Sequence, residues 1–414
     1  SSAASDVYKR QGSHIVVRTT YGLITTRDRG ETWDWICETG VGYSATTPVD
    51  PAMAMTKDGT VLAAFPGALS VAHGDNCDWT FADPLEGQTV VDVSTEKADP
   101  SRAVVIVSNA QGGGVFQTRL FESADNAATW AQAGTDLPGD LEAETLDVAP
   151  SDTERVYVSG VRGGTAGVLV RTADRGQIWE SLDITWPEQD GNTGSSDVDH
   201  VPFIAGVDPL DEEVVYVRLS GTPGRLLKTS DGGETWSLAF KGQGSLKGFA
   251  LSPDGTQILV GGDGDGTWRG STSSLDFEQV STVRPQCLTW VEAGVYACAL
   301  EYNDGFTVGL STDDGATWEA VNYLACVRGP LACSDGSTVK EECEDAWAAT
   351  AELIDAESCV AGGDDDDTTA TPTPEANPTP PDGDDETPGG GDGNDASGGC
   401  GCVTSDRSKG SMGG

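Results

Sequence analysis

Short apolar runs alternate with clusters of Gly, Asp, Ser and Pro along most of this chain, and the alternation itself repeats. In residues 201–240, VPFIAGVDPLDEE is an apolar run that ends in a polar turn. VVYVRLSGTPG is a β-branched run that ends in Gly and Pro. GRLLKTSDGG is a third strand and TWSLAFKG a fourth. Four short strands bounded by turn residues predict an antiparallel meander. The same order returns over 141–183, 246–282 and 283–325. The first strand of a unit (TLDVAPSD, FALSPDG) is almost continuously apolar, as expected of a strand covered on both faces.

The third turn of each unit carries a motif, Ser/Thr-x-Asp-x-Gly-x-Thr-Trp. Clear copies lie at 26–33 (TRDRGETW), 123–130 (SADNAATW), 172–179 (TADRGQIW), 229–236 (TSDGGETW) and 311–318 (STDDGATW). Worn copies end at Trp79 (GDNCDW) and Phe277 (SLDF). The aromatic endpoints fall at 33, 79, 130, 179, 236, 277 and 318. Such a period belongs to a solenoid or a propeller. Seven units packed radially predict an all-β, seven-bladed β-propeller of four-stranded antiparallel blades. In the first unit, 14–19, 21–26 and 32–38 read as strands two to four. Its innermost strand is expected before residue 11.

Turn chemistry explains the motif. Asp28, Asp125, Asp174, Asp231 and Asp313 are expected to accept backbone N–H groups in the hairpin between strands three and four. Gly30, Gly176, Gly233 and Gly315 take the positive φ of the turn. Trp33, Trp130, Trp179, Trp236 and Trp318 open strand four and pack on their own sheet, each burial worth about 2–3 kcal/mol. Ala127 stands where the glycine belongs, so that turn is expected to be strained or of another type.

These residues resemble the Asp-box, or BNR, repeats of sialidases, sortilin-like receptors, xyloglucanases and photosystem II assembly factors. The resemblance covers roughly 12–325. VAPSDTERVYV and VDPLDEEVVYV look closer to the sortilin, xyloglucanase and assembly-factor branch than to sialidases. The resemblance implies a propeller whose Asp turns are structural and lie away from the catalytic mouth. It implies no particular activity.

Charge narrows the partners. The 414 residues carry 67 acidic and 24 basic side chains, a net charge of −43. Nucleic acid is excluded as a partner, because phosphate binding needs a basic face. The excess reads as a solvated acidic surface, with divalent-cation binding or a saline habitat as the other readings.

Both ends differ from the ring. Residues 1–11 (SSAASDVYKRQ) look like a translated sequencing adapter and are set aside as non-native. The native start, with a signal peptide, is expected upstream. Residues 326–359 hold Cys326, Cys333, Cys343 and Cys359 and a helical stretch near 343–354. They read as a Cys-rich, disulfide-stapled appendage packed on the last blade, of open connectivity. Residues 360–399 are a Pro/Asp/Gly-rich acidic linker expected to be disordered. Residues 400–414 begin with CGC and resemble a myxobacterial surface-protein sorting tag, cut before its hydrophobic helix and Arg cluster. Membrane attachment is expected only through that missing anchor.

There are ten cysteines without zinc-ribbon spacing, which favours disulfides and an oxidising compartment. The expected location is extracellular or on a bacterial cell surface. Cys287 and Cys298 flank a turn at 292–293 and fall opposite one another, so a bond is expected, worth about 3 kcal/mol. Cys37 and Cys77 are the remaining ring cysteines, and their bonding to each other is expected on that count alone.

In a propeller, the loops from strand four to the next strand one share a face with the two–three loops, opposite the Asp turns. Three loops on that expected ligand face stand out. One is 38–50 with Tyr43. Another is 186–200 with Glu188, Asp190, Asp197, Asp199 and His200. The third is 261–266 with Asp263 and Asp265. Glycoside hydrolysis needs two carboxylates across the scissile bond, which Asp190 or Asp199 with Asp263 would supply. The plainer reading is turn formers and solvated charge. A sialidase also needs an arginine cluster, whereas Arg18, Arg162 and Arg218 lie on early strands or loops. No Phe/Tyr-Arg-Ile-Pro segment is present, and a xyloglucanase normally brings two propellers. Asp263 and Asp265 offer oxygens at alternate positions, as calcium loops do, without the downstream Glu. A Gly/Asp-rich hairpin is the plainer reading, and no cofactor is expected. Three scattered histidines and no G-x-S-x-G leave a serine triad unsupported. The expectation is a monomeric, non-catalytic binding or adhesion propeller for a glycan or protein partner. The alternatives are a sialidase-like or xyloglucanase-like glycoside hydrolase and a peptide-binding assembly or sorting factor.

Overall fold

The computed structural model describes residues 14–44, 50–185 and 201–359. Its strands form seven four-stranded sheets, one per expected blade. Blade two is Ala52–Met55, Val61–Phe65, Ala68–Ala72 and Trp79–Phe81. Blade three is Val90–Thr95, Ala103–Gly112, Val115–Ser123 and Ala131–Ala133. Blade four is Leu141–Val148, Val156–Arg162, Ala166–Thr172 and Glu180–Asp183. Blade five is Pro202–Val207, Val215–Leu219, Arg225–Thr229 and Ser237–Lys241. Blade six is Leu246–Leu251, Gln257–Gly262, Gly266–Ser271 and Phe277–Ser281. Blade seven is Cys287–Val291, Gly294–Cys298, Val308–Ser311 and Glu319–Asn322. Neighbouring strands within these six blades pair antiparallel in chain order.

The core lies between blades, because a strand sends alternate side chains to opposite faces. In blade four, Val156 and Val158 pack with Ile106 and Leu120 of blade three, while Tyr157 between them packs with Val217 and Leu227 of blade five. Both faces are therefore apolar, as the unbroken hydrophobic runs require. The first strands of successive blades lie side by side around the axis and are tied by polar bonds. Asp92 accepts the Leu146 N–H at 2.8 Å, Ser94 donates to Asp147 at 3.2 Å, and Thr145 Oγ1 accepts the Ile204 N–H at 2.8 Å. A bulge recurs early in four of these strands, shifting the register at Val91, Glu144, Ala205 and Lys247. Periodicity did not foresee it, since one extra residue barely alters an apolar run.

Blade one contributes Ile15–Thr19, Gly22–Thr26 and Trp33–Ile36 as strands two to four. The innermost strand expected before residue 11 lies outside the described residues, as do the expected adapter, linker and tag. The sheet gains a strand on its outer edge, Val327–Pro330, parallel to Trp33–Ile36. Where a plain loop was expected after blade one, a short helix α1 (Glu38–Val41) follows.

Two expectations about cysteines are corrected. Cys37 bonds to Cys343 and Cys77 to Cys333, not to each other. Cys37 follows strand four of blade one, whereas Cys77 sits in the third turn of blade two. The segment after blade seven is therefore fastened to blades one and two rather than packed on the last blade alone. Within it, a bond joins Cys326 to Cys359. Two helices follow blade seven in this segment, counted α3 (Thr338–Cys343) and α4 (Trp347–Leu353), because α2 (Glu301–Asp304) interrupts blade seven itself. Cys287 and Cys298 are directly paired across their hairpin and bonded. Among the described residues no helix is long and apolar enough to cross a membrane.

Candidate functional site

The repeated aspartates are consumed by their own turns. Asp231 Oδ1 accepts the Thr229 hydroxyl at 2.7 Å and the Thr235 N–H at 2.9 Å, while Oδ2 accepts the Thr235 hydroxyl at 2.6 Å. Asp28, Asp125 and Asp313 repeat this set of bonds. Asp174 keeps the first two, with Ile178 replacing the threonine. Bonds to the ionised form favour it. The Thr317 N–H and hydroxyl thus bring Asp313 down to about 2, and the Thr129 hydroxyl and N–H lower Asp125. Two successive residues take positive φ in each turn, such as Arg29 and Gly30. Ala127 adopts φ 66° in the same bonding pattern, so its turn keeps the common type and carries the alanine in the left-handed region. The tryptophans do more than cover their own sheets. Trp236 enters the cluster between blades four and five, and Trp33 donates to Gly30 O and to Val321 O of blade seven. Trp179 and Trp318 are only half-buried.

The opposite face carries the loops expected to bind a ligand. Asp190 and Asp199, with Glu188, Asp197 and His200, lie outside the described residues. Asp265 points inward and is 7% exposed. Its carboxylate accepts the N–H groups of Gln243 at 2.6 Å and Gly244 at 3.1 Å, which clamps the connection between blades five and six. Asp263 is exposed and accepts the Gln286 side-chain amide at 2.6 Å. The Asp-x-Asp pair thus turns in two directions, as a hairpin does. Among the described residues no three His, Cys, Asp or Glu side chains gather to hold a metal ion.

Asp304 joins Asp263 at this corner, and no sequence motif announced it. It lies in α2, which fills the two–three loop of blade seven. Its Oδ1 accepts the Arg284 N–H at 3.1 Å, and the Arg284 Nε stands 3.8 Å away. The side chain is 3% exposed, and Oδ2 is buried with no hydrogen-bond partner. Burial raises the Asp304 pKa and the Asp263 charge adds to the rise, against the Arg284 N–H and charge. The adjoining Glu301 accepts the Thr307 hydroxyl at 2.9 Å and the Leu324 N–H at 2.8 Å. This leaves Tyr302 and Tyr323 exposed beside it. The length of the 299–307 loop was the one visible signal.

Arg18, Arg162 and Arg218 belong to three different blades and are engaged separately. Arg18 is buried in blade one, 3.2 Å from Asp50. Arg162 pairs with Asp183 inside blade four. Arg218 in blade five lies over the Phe203 ring at 4.8 Å and donates to Leu246 O at 3.1 Å. Tyr43, expected in an open loop, is buried against Phe65. His14 and His73 belong to the turn face, bonded to Thr25 and Thr60.

No family model matches the chain. A xyloglucanase of a Paenibacillus species is 26% identical over 221 residues, which is 46% of this chain and 21% of that protein. The photosystem II assembly lipoprotein Ycf48 of a Synechococcus strain is 24% identical over 230 residues, 54% of this chain and 60% of the relative. The crystal structure of an ancestral GH74 enzyme matches with a TM-score of 0.52 at 12% identity, over 74% of this chain and 44% of that one. The chain thus spans less than two thirds of each of these proteins. What it has in common with them is the fold, a propeller built from four-stranded antiparallel blades.

Proposed function

We propose that the chain is a binding or adhesion propeller of an oxidising, extracytoplasmic compartment. It acts as a monomer on a glycan or protein partner held by the face opposite the turns. We also propose that the turns are Asp boxes of the sialidase and sortilin-like kind. The observation that carries the reading is the fate of Asp263 and Asp265 on that face. Asp265 is spent on two backbone amides and Asp263 on the Gln286 amide, so these groups build loops rather than stand ready for proton transfer. Four disulfides among the described residues support the compartment, since such bonds persist where thiols are not kept reduced. The assembly role in the name of one relative supports a protein partner, and the xyloglucanase supports a glycan.

One observation favours the hydrolase alternative. Asp304 is a buried carboxyl held above its ordinary pKa beside Asp263, the disposition of a general acid near a second carboxylate. Glycan and peptide arrays run beside fluorogenic glycosides separate the readings. Binding without turnover is expected. Turnover that collapses in Asp304→Asn, Asp263→Asn, Asp190→Asn or Asp199→Asn overturns the non-catalytic reading.

A further inference from the structure

We propose that residues 327–343 are a strap that closes the ring, running from blade seven across the outside of blade one to blade two. The path is continuous. Val327 pairs with Trp33 and Pro330 with Trp35, and Leu331 N–H donates to Trp35 O at 2.8 Å. The Arg328 guanidinium grips Asp34 with Nη2 at 2.9 Å from both carboxylate oxygens and Nε at 3.1 Å from Oδ1. Beyond this crossing the strap is bonded covalently twice, to Cys77 through Cys333 and to Cys37 through Cys343.

The strap lands where the repeat is defective. Blade two has the worn turn GDNCDW, which lacks, at their motif positions, the aspartate and threonine that bind the clear copies and keeps the Asp75 bond to the Cys77 N–H at 3.1 Å. Strap residues bond this turn at other backbone groups. Thr338 Oγ1 accepts the Trp79 N–H at 2.9 Å and donates to Cys77 O at 3.1 Å, and the Val339 N–H donates to the same carbonyl at 3.1 Å. The same helix, α3, lies on α1 so closely that a Cβ on Gly40 would stand 2.6 Å from Cys343 Sγ.

Ring closure is the physical consequence. Among the described residues, the seam between blades seven and one is also held by packing and by the Trp33 contact with Val321. The two strap disulfides span 306 and 256 residues, so blades two to seven lie inside the first covalent loop and blades three to seven inside the second. If the seam parts, blade seven stays tethered beside blade one and closing is an intramolecular step at high effective concentration. A blade free to drift would pay the loop-closure entropy again.

Hydrogen exchange on the whole chain tests this. In a variant carrying Cys37→Ala, Cys343→Ala, Cys77→Ala and Cys333→Ala, the amides of 33–36 and 319–322 are expected to exchange about tenfold faster. Those of 156–172 in blade four are expected to stay within about twofold, as local opening requires. The Cys326→Ala/Cys359→Ala control keeps the strap and is expected to keep seam protection. Unchanged seam protection in the fourfold variant, or equal acceleration in every blade, overturns the proposal. Should that variant not fold, Arg328→Ala with Thr338→Val keeps every cysteine and loosens the strap. Exchange at 33–36 is then expected to rise about threefold, and no rise there overturns the proposal equally.

Discussion

Gly30→Ala tests how the turns and the blade packing depend on each other. Gly30 has φ 95°, and a Cβ built on it would lie 2.2 Å from Val321 Cγ1 of blade seven. Two costs are separable. The left-handed backbone costs alanine about 1–2 kcal/mol, of which about 0.5–1 is returned by the less mobile unfolded chain. Ala127 in the equivalent turn shows that this part is tolerable. The second cost is steric. Val321 must shift against the core of the seam, and overpacking of this kind costs about 1–3 kcal/mol. The expected total is about 1–4 kcal/mol. Urea unfolding of wild type, Gly30→Ala, Val321→Ala and the double variant measures it. The double-mutant cycle is expected to show a coupling of more than about 1 kcal/mol, because the shortened valine removes the clash. A Gly30→Ala destabilisation below about 0.5 kcal/mol, or no coupling with Val321→Ala, would refute the close approach of blades seven and one.

Other expectations follow from the same contacts. Asp313 is lowered from 3.8 to about 2 by its turn bonds, so its stabilising share is complete above 3.8 and is lost as pH falls through about 2. The thermal midpoint should drop between pH about 5 and about 2, and Asp313→Ala should flatten that drop; an unchanged slope would count against the turn bonds. Gly40→Ala should hinder the bond between Cys37 and Cys343, seen as two additional titratable thiols in the folded protein, because the methyl occupies the sulfur's place. Arg175→Met should destabilise by about 1–3 kcal/mol, since it strips a partner from Glu96, which is 2% exposed and held by Arg175 at 2.8 Å and Arg102 at 3.1 Å. A denaturation midpoint equal to wild type would place that ion pair among the energetically silent ones.

The corner at Asp304 shows why candidate chemistry is harder to read than fold. Asp263 drew attention as part of Asp-x-Asp-Gly, yet its partner is Gln286. The carboxyl with an orphaned oxygen is Asp304, an ordinary residue of a four-residue helix. Its environment is assembled from Arg284 in the connection between blades six and seven and Asp263 in a hairpin of blade six. Burial and neighbouring charge set such a group apart, and neither is a property of residues near it in the chain.

Blade count, strand order and turn type were all decided by chemistry that acts over a few positions. The motif aspartate meets its donors within four residues, and an apolar strand with both faces covered needs no distant information to be recognised. Cysteine pairing, the strap and the inward turn of Asp265 were decided in three dimensions. Cys37 and Cys343 come to a Cα separation of 5.3 Å only after seven blades have curved the chain back on itself. A local rule repeated seven times specifies each blade, while what meets across the ring depends on the accumulated curvature that brings the last blade to the first.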